Sequence, residues 1–397
     1  MNKSSTSLSS APAGLKVGAV RTSRERRQFL HLPWKIYRDD PNWIPPLRQN
    51  QKEMVNYSRH PFYDENPIET FLATVDGEPV GRIAALVNLE HNKRYKEKRG
   101  FVGFFECIDN QAVANQLFNE AKIWLQQRGM NAIRGPMNPS MNHEAGLLID
   151  GFDRPPTFMM TYNPAYYQAL WENYGFAKIE DMVAFWGHID MLASIDPKVY
   201  EIGLECIRRF NVQLRPLDKR RFAQEVESYL HIYNQALGGT WGFVPMSDAE
   251  VRHMAKGLKF LIEPDLTTFA EVDGKPIGAV FGLLDFNPII KEIDGRLFPF
   301  GWWKLLYHRK RLKRVRLITT TVLPEYQRWG ISLGLMGRLI PEVKKWGITE
   351  GEFSWVLESN HLSYKTLKRG GAEIRQTYRV FDYEVGKSKP SGAQDAQ

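Results

Sequence analysis

Residues 71–86 (FLATVDGEPVGRIAAL) and 268–283 (TFAEVDGKPIGAVFGL) are two versions of one pattern. Each reads as a strand, an Asp-Gly hairpin turn and a second strand containing a glycine. The offset between them recurs along the chain. Gly81 and Gly278 stand 197 residues apart, as do Asn163 and Asn360, and Tyr167 and Tyr364, while Gly175 and Gly371 stand 196 apart. Self-similarity at so long a period predicts two copies of one domain rather than a solenoid. At 397 residues the chain is too long for one core and suits two. The expected units are residues 15–190 and 191–385, with a junction near 187–197. Residues 1–14 and 386–397 are low in complexity and are expected to be disordered.

The second copy carries the most chemically specific segment. Residues 317–322 (LITTTV) read as a buried β-branched strand, and residues 334–346 recur at helical spacing. Between them lies a tight loop holding Gln327, Arg328, Trp329, Gly330, Ile331 and Ser332. A strand, a loop of small and polar residues and a helix start together make an anion site. The first free amides of the helix point at the anion, and small residues let the backbone approach it. Arg328 adds a fixed positive charge.

This loop resembles motif A of the GCN5-related N-acetyltransferase superfamily, Q/R-x-x-G-x-G/A, with Gln327, Gly330 and Ser332 at the matching places. Ser332 stands where the family has Gly or Ala. Downstream, residues 351–360 (GEFSWVLESN) read as a strand ending in Asn360, and Gly371 follows at the family's spacing. The resemblance implies two tandem α/β domains, each with a mixed, mostly antiparallel sheet splayed at one end and helices on both faces. It also implies acyl-CoA as co-substrate, bound by residues 327–332 and Asn360, with a backbone donor for the thioester oxygen at Val322 or Leu323. The family's tyrosine seven residues after the Asn is Leu367 here, so Tyr364 is the nearest candidate to protonate the leaving thiolate. Glu358, at the carboxyl end of the strand leading to Asn360, is the candidate general base, with a structural acid paired to Lys or Arg as the competing reading.

The two copies are not equivalent. In the first, the strand at 101–108 runs through Asp109 and Asn110 into a helix at 111–127, with no matching glycine loop, and Glu106 and Asp109 would repel a pyrophosphate. The first copy is therefore expected to be degenerate and the second to bind CoA. The first has instead a polar loop at 135–142 (GPMNPSMN) followed by His143 and Glu144. Asn142, His143 and Glu144 are candidates to line the acceptor pocket, against a purely structural role for this half.

The net charge of +8 is uneven. Residues 304–316 (KLLYHRKRLKRVR) hold seven Lys or Arg and no acid, directly after the aromatic run 297–303 (LFPFGWW). Aromatics beside a basic cluster suit a membrane surface, with Trp302, Trp303, Arg309, Lys310 and Arg311 as the contact set. Steering of CoA and a solvated helix face are the alternatives. A nucleic-acid partner is not expected, because stacking aromatics alternate with basic residues rather than precede them as a block. Two cysteines, Cys107 and Cys206, exclude a disulfide framework and a multi-cysteine metal site, and no metal is expected. No apolar run approaches the ~18 residues needed to cross a bilayer, and no secretory segment is recognisable. The expected location is cytoplasmic, peripheral on the inner face of the membrane.

Residues 241–245 (WGFVP), the aromatic-basic insertion, residues 354–360 (SWVLESN) and the degenerate first copy together resemble one bacterial group within the superfamily, the ceramide synthases. That resemblance implies transfer of a long-chain acyl group from CoA to a sphingoid-base amine. Two other readings stay open on the residues: N-acetylation of a soluble small-molecule or protein amine, and a non-catalytic CoA-binding protein.

Overall fold

The Asp-Gly dipeptides form the turns their chemistry demands. In the computed structural model, which describes residues 10–194 and 197–386, Asp76 and Gly77 have φ of 51° and 84°, and Asp273 and Gly274 have 50° and 74°. Left-handed backbone at both central positions is the tight hairpin geometry that matches strand twist. A register shift follows at the same place in each copy, at Ala73/Thr74 and at Ala270/Glu271. The repeat is thus preserved down to a single bulge.

The strands are β1 (Leu15–Ala19), β2 (Ile68–Val75), β3 (Glu78–Leu86), β4 (Arg99–Cys107), β5 (Ala132–Gly135), β6 (Met137–Asn138), β7 (Glu144–Ala145), β8 (Leu147–Asp150), β9 (Ala177–His188), β10 (Gln213–Pro216), β11 (Thr267–Val272), β12 (Lys275–Leu284), β13 (Arg314–Val322), β14 (Glu350–Leu357) and β15 (Glu373–Glu384). The helices are α1 (Ser23–Ile36), α2 (Arg48–Met54), α3 (Leu89–Tyr95), α4 (Gln111–Gln126), α5 (Tyr167–Tyr174), α6 (Pro197–Arg209), α7 (Phe222–Ala236), α8 (Asp248–Leu258), α9 (Asn287–Glu292), α10 (Gly301–Tyr307), α11 (Ile331–Lys345) and α12 (His361–Arg369).

Alternation along the strands places helices on both faces. Phe71, Ala73, Ile83 and Ala85 pack with Val113, Leu117 and Ala121 of α4, whereas Leu72 and Ala84 pack with Phe29 and Leu30 of α1. Successive strand residues point to opposite faces, so the two clusters lie on opposite sides of the sheet. In the second half a larger core gathers the inner faces of α7 and α11 around β11, β12 and β13. It also includes Phe158, contributed by the first half.

The sheet itself departs from two separate copies. Strand order is β1-β2-β3-β4-β5-β15-β9-β14-β13-β12-β11-β10, with β8 also paired to β15. The last strand of each half therefore completes the other half. β15 pairs with β5 in the register Phe381↔Gly135 to Glu384↔Ala132, and β9 pairs with β14 in the register Glu350↔His188 to Leu357↔Met182. β9 and β15 lie side by side at the centre, joining the halves into one continuous sheet. The expected junction near 187–197 follows β9, and its residues 195–196 lie outside the described residues, as do residues 1–9 and 387–397 of the terminal segments expected to be disordered.

Candidate functional site

The expected anion loop lies at the end of β13. Residues Pro324–Trp329 form a short 3-10 turn, Gly330 takes φ +70°, and α11 begins at Ile331 with no side chain capping it. No side chain satisfies the amides that open α11; Leu333's donates to the Gly330 carbonyl at 3.0 Å, within the first turn. Gln327, Arg328 and Ser332 are exposed around them, while Ile331 is buried and anchors the turn. Trp329 stacks on Phe210, with ring centroids 4.0 Å apart, which fixes the back of the loop. A Cβ on Gly330 would meet Cys206 Sγ at 2.8 Å, and its left-handed φ already disfavours any side chain. Gln327 Nε2 donates to the Val322 carbonyl at 3.2 Å, tying the loop to the strand end.

The first half contrasts at the corresponding point. Asn110 Oδ1 accepts from the amides of Ala112 (3.0 Å) and Val113 (3.1 Å), so the start of α4 is already satisfied. A side-chain acceptor there satisfies the orphan donors that an anion would otherwise take.

Beyond the loop, the strands part. β13 and β14 run parallel only from Arg314↔Glu350 to Leu317↔Phe353. β13 then stays with β12 as far as Val322, and β14 with β9 as far as Leu357. A buried polar network sits where they part. Arg316 donates from Nε to Ser354 Oγ (2.8 Å) and from Nη1 to the carbonyls of Phe158 (2.9 Å) and Met159 (3.0 Å). Ser354 Oγ donates to Glu352 Oε1 at 2.6 Å, and Thr157 Oγ1 donates to Glu352 Oε2.

Several expected roles are corrected here. Leu323 is not a free backbone donor, because its amide donates to the Ile277 carbonyl at 2.8 Å. Glu358 accepts from Lys178 Nζ at 2.8 Å and from the Asp181 amide at 3.1 Å. Both oxygens are engaged in joining β14 to β9, as the structural alternative requires. Tyr364 packs edge-on against Phe185 at 5.2 Å beside Val183 and Ala372, in a small apolar cluster. Asn360 Oδ1 caps α12 by accepting from the Ser363 amide at 3.2 Å, so its carboxamide oxygen is committed to the helix start.

A cavity of about 610 Å³ lies between the halves, within the ~300–1,000 Å³ of small-molecule pockets. His143 and Glu144 line it. Asn142 anchors the loop across the halves instead: its Nδ2 donates to the Val244 carbonyl (2.7 Å) and its Oδ1 accepts from Tyr233 (3.1 Å). His60 and His253 complete a histidine cluster, with ring centroids 4.6 Å apart and His143 5.4 Å from His60. His253 Nε2 lies 3.1 Å from Glu53 Oε2, and His143 Nδ1 lies 3.0 Å from Ser140 Oγ. Burial and the neighbouring imidazoles push His143 down to about 3 and His60 to about 4, so both are neutral at physiological pH. Burial raises the Glu144 carboxyl, against a hydrogen bond from Asn138. The cluster escaped sequence reading because residues 60, 143 and 253 share no spacing.

A pH experiment follows. A histidine whose folded pKa is depressed contributes its full stability above its unfolded value of 6.5 and loses it as pH falls toward about 3. Relative to His143→Gln, the wild type is expected to lose up to about 1.4 kcal/mol per pH unit across that window, read by urea unfolding at successive pH. Parallel profiles would show the imidazole to be unshifted.

The aromatic insertion forms α10 and the turns beside it. Phe298 is 72% exposed and Phe300 75%, and Trp302, Trp303 and Tyr307 are exposed with them. Lys310 and Arg311 are also exposed. Arg309 is not a free cation: it donates to the buried Glu263 at 2.6 Å. No helix among the described residues is long and apolar enough to cross a membrane. Among the described residues no group of three or more His, Cys, Asp or Glu is arranged so that it could hold a metal ion.

No family model matches the chain. It is 35% identical over 383 residues to the bacterial ceramide synthase of Caulobacter vibrioides, covering 94% of this chain and 98% of that one. It is 34% identical over 377 residues to protein YghO of Escherichia coli K12, covering 93% and 96%. Among solved structures, a tandem GCN5-related N-acetyltransferase protein from the clavulanic acid biosynthesis pathway is similar over 94% of this chain and all of its own, with a TM-score of 0.56 and 11% identity. A GCN5-related N-acetyltransferase from Sphaerobacter thermophilus is similar over 94% and 97%, with a TM-score of 0.53 and 12% identity.

Proposed function

Because this chain belongs to the tandem GCN5-related N-acyltransferases, in the family that includes bacterial ceramide synthase, and is an N-acyltransferase of that fold, we propose that it transfers a long-chain acyl group from CoA to the amine of a sphingoid-type lipid. The observation that carries the donor side is the uncapped start of α11 behind Gly330. Its amides and Arg328 hold the CoA pyrophosphate, and the gap between β13 and β14 receives the pantetheine arm and thioester. The amine must be unprotonated to attack the thioester carbonyl; the C–N bond forms as the C–S bond breaks, and the thiolate leaves to be protonated.

The lipid side rests on two observations. The cavity between the halves is bounded largely by apolar residues, and the exposed aromatics of 298–307 stand beside Lys310 and Arg311. Rings at headgroup depth with cations over anionic lipid, each cation contributing about 1 kcal/mol, suit an enzyme whose substrates partition into a bilayer. On this reading the protein works peripherally on a membrane surface.

Arg328→Glu is expected to weaken CoA binding about tenfold or more with the thermal transition unchanged, because a carboxylate would then face the pyrophosphate. Unaltered affinity in a calorimetric titration would remove CoA from this loop. For the acceptor, palmitoyl-CoA and sphinganine supplied with anionic vesicles should yield the N-acylated lipid. Turnover of soluble amines alone, with no vesicle binding, would favour a soluble acceptor.

A further inference from the structure

The first half has a gap of its own. β4 and β5 are parallel only from Arg99↔Ala132 to Phe101↔Arg134, after which β4 continues with β3 toward Cys107. The cavity enters this gap, bounded by Phe104, Phe105 and Glu106 on one side and Pro136 on the other. In the second half the equivalent gap leads to the uncapped α11. Here it ends on a buried polar floor.

That floor is built around Glu106. Its Oε2 accepts from Tyr37 and from Tyr167, each at 2.8 Å. The Tyr167 hydroxyl also accepts from the Cys107 amide at 2.8 Å, which directs its own proton to the carboxylate. Oε1 is less well served, with Arg82 Nη2 at 3.5 Å, the limit of a hydrogen bond. Arg82 is 4% exposed, donates from Nη1 to the Phe29 carbonyl at 2.7 Å and has a buried Nε with no partner. A buried, unpaired guanidinium donor beside a half-used carboxylate oxygen is a costly arrangement for an empty floor. Both groups line the cavity, whose opposite side carries Leu258, Leu261 and Leu297, next in sequence to the exposed Phe260 and Phe298.

We propose that this gap binds the head of a single-chain amphiphile bearing neighbouring amine and hydroxyl groups. The donor-bearing head meets Glu106 Oε1, and the alkyl chain runs toward Leu258, Leu261 and Leu297. The half without a phosphate loop is on this assignment the lipid-holding half. The assignment rests on the reading of the acceptor as a lipid amine, and gives it a holding site apart from the thioester, because β15 and β9 separate this gap from the one between β13 and β14. The chemistry matches at both ends. A carboxylate flanked by two tyrosines and an arginine discriminates a donor-bearing head from a plain alkyl end, and apolar walls favour one chain by about 0.8 kcal/mol per buried CH₂.

The test uses the full chain and two soluble probes, 2-aminododecan-1-ol and dodecan-1-ol, titrated by calorimetry below their aggregation limits. The wild type is expected to favour the amino alcohol about tenfold or more, and Glu106→Gln to bring the two within about twofold of each other. A Glu106→Gln protein with native circular dichroism and undiminished preference overturns the proposal. Should that variant not fold, Met254→Trp decides. Met254 lines the cavity from α8, half-buried and outside the polar floor, so a larger ring should block both probes. Unchanged binding of both in Met254→Trp overturns the proposal equally. CoA titrated into the same samples reports separately. Failure of the wild type to bind CoA refutes the α11 loop, whereas the preference between the two alcohols decides this site alone.

Discussion

Ending the chain at Ala372 is expected to unfold the first half as well as the second, although only the last strand of the sequence is lost. β15 supplies β5 and β8 with a hydrogen-bonding neighbour and buries Tyr378, Val380 and Phe381 completely. Phe381 belongs to the core of the first half, 5.7 Å from Trp171. Without it, β5 becomes an unpaired edge beside an open core, and residues 10–194 alone should show no cooperative unfolding transition. The milder Phe381→Ala should cost about 3–5 kcal/mol, measured in urea, with the largest rise in amide exchange at β5 although the substituted residue lies some 250 positions away. A cooperative transition from residues 10–194 by themselves would mean that the exchanged strand is dispensable.

Arg316→Met should be nearly as damaging. Arg316 is 5% exposed and Glu352 6%, and the pair are linked through Ser354 where β13 and β14 part. Removing the guanidinium leaves a buried carboxylate without its compensating charge and frees the carbonyls of Phe158 and Met159, at about 3–5 kcal/mol. The double variant with Glu352→Gln should recover part of that loss, because the uncompensated charge goes too. Additive losses in chemical denaturation would show that the two side chains act independently. Since Phe158 and Met159 come from the first half, the same substitution should also loosen the cavity wall that they form.

The sequence was most legible where structure is local. The Asp-Gly turns and the strand–loop–helix at 317–346 depend on neighbours a few residues apart, and each is found in place. Strand exchange was illegible because β9 and β15 follow similar helix–glycine turns, at Gly175 and Gly371, and either could satisfy either half. Only tertiary packing chooses between them. Side-chain roles were harder still. Glu358 has the position of a general base in one dimension, while in three Lys178 and the Asp181 amide, brought alongside by the exchange, hydrogen-bond to it. Arg309 read as one member of a basic run, yet Glu263 removes it from the free cations. His60 and His253, like Arg82 and Glu106, became visible only once distant segments converged on the cavity. Asn110 gave a usable signal, since an Asn directly before a helical pattern is a helix-start residue and argues against an anion there.

The crossed last strands set an order on synthesis. A ribosome releases the first half before β15, its native neighbour for β5, has emerged, so β5 cannot take its final partner until β15 follows. The earlier half must wait, exposed, for the later one, and the molecule therefore matures as a unit rather than from one end to the other. Gene fission between the halves would give two fragments that each need the other to close, which makes the tandem arrangement difficult to undo once acquired.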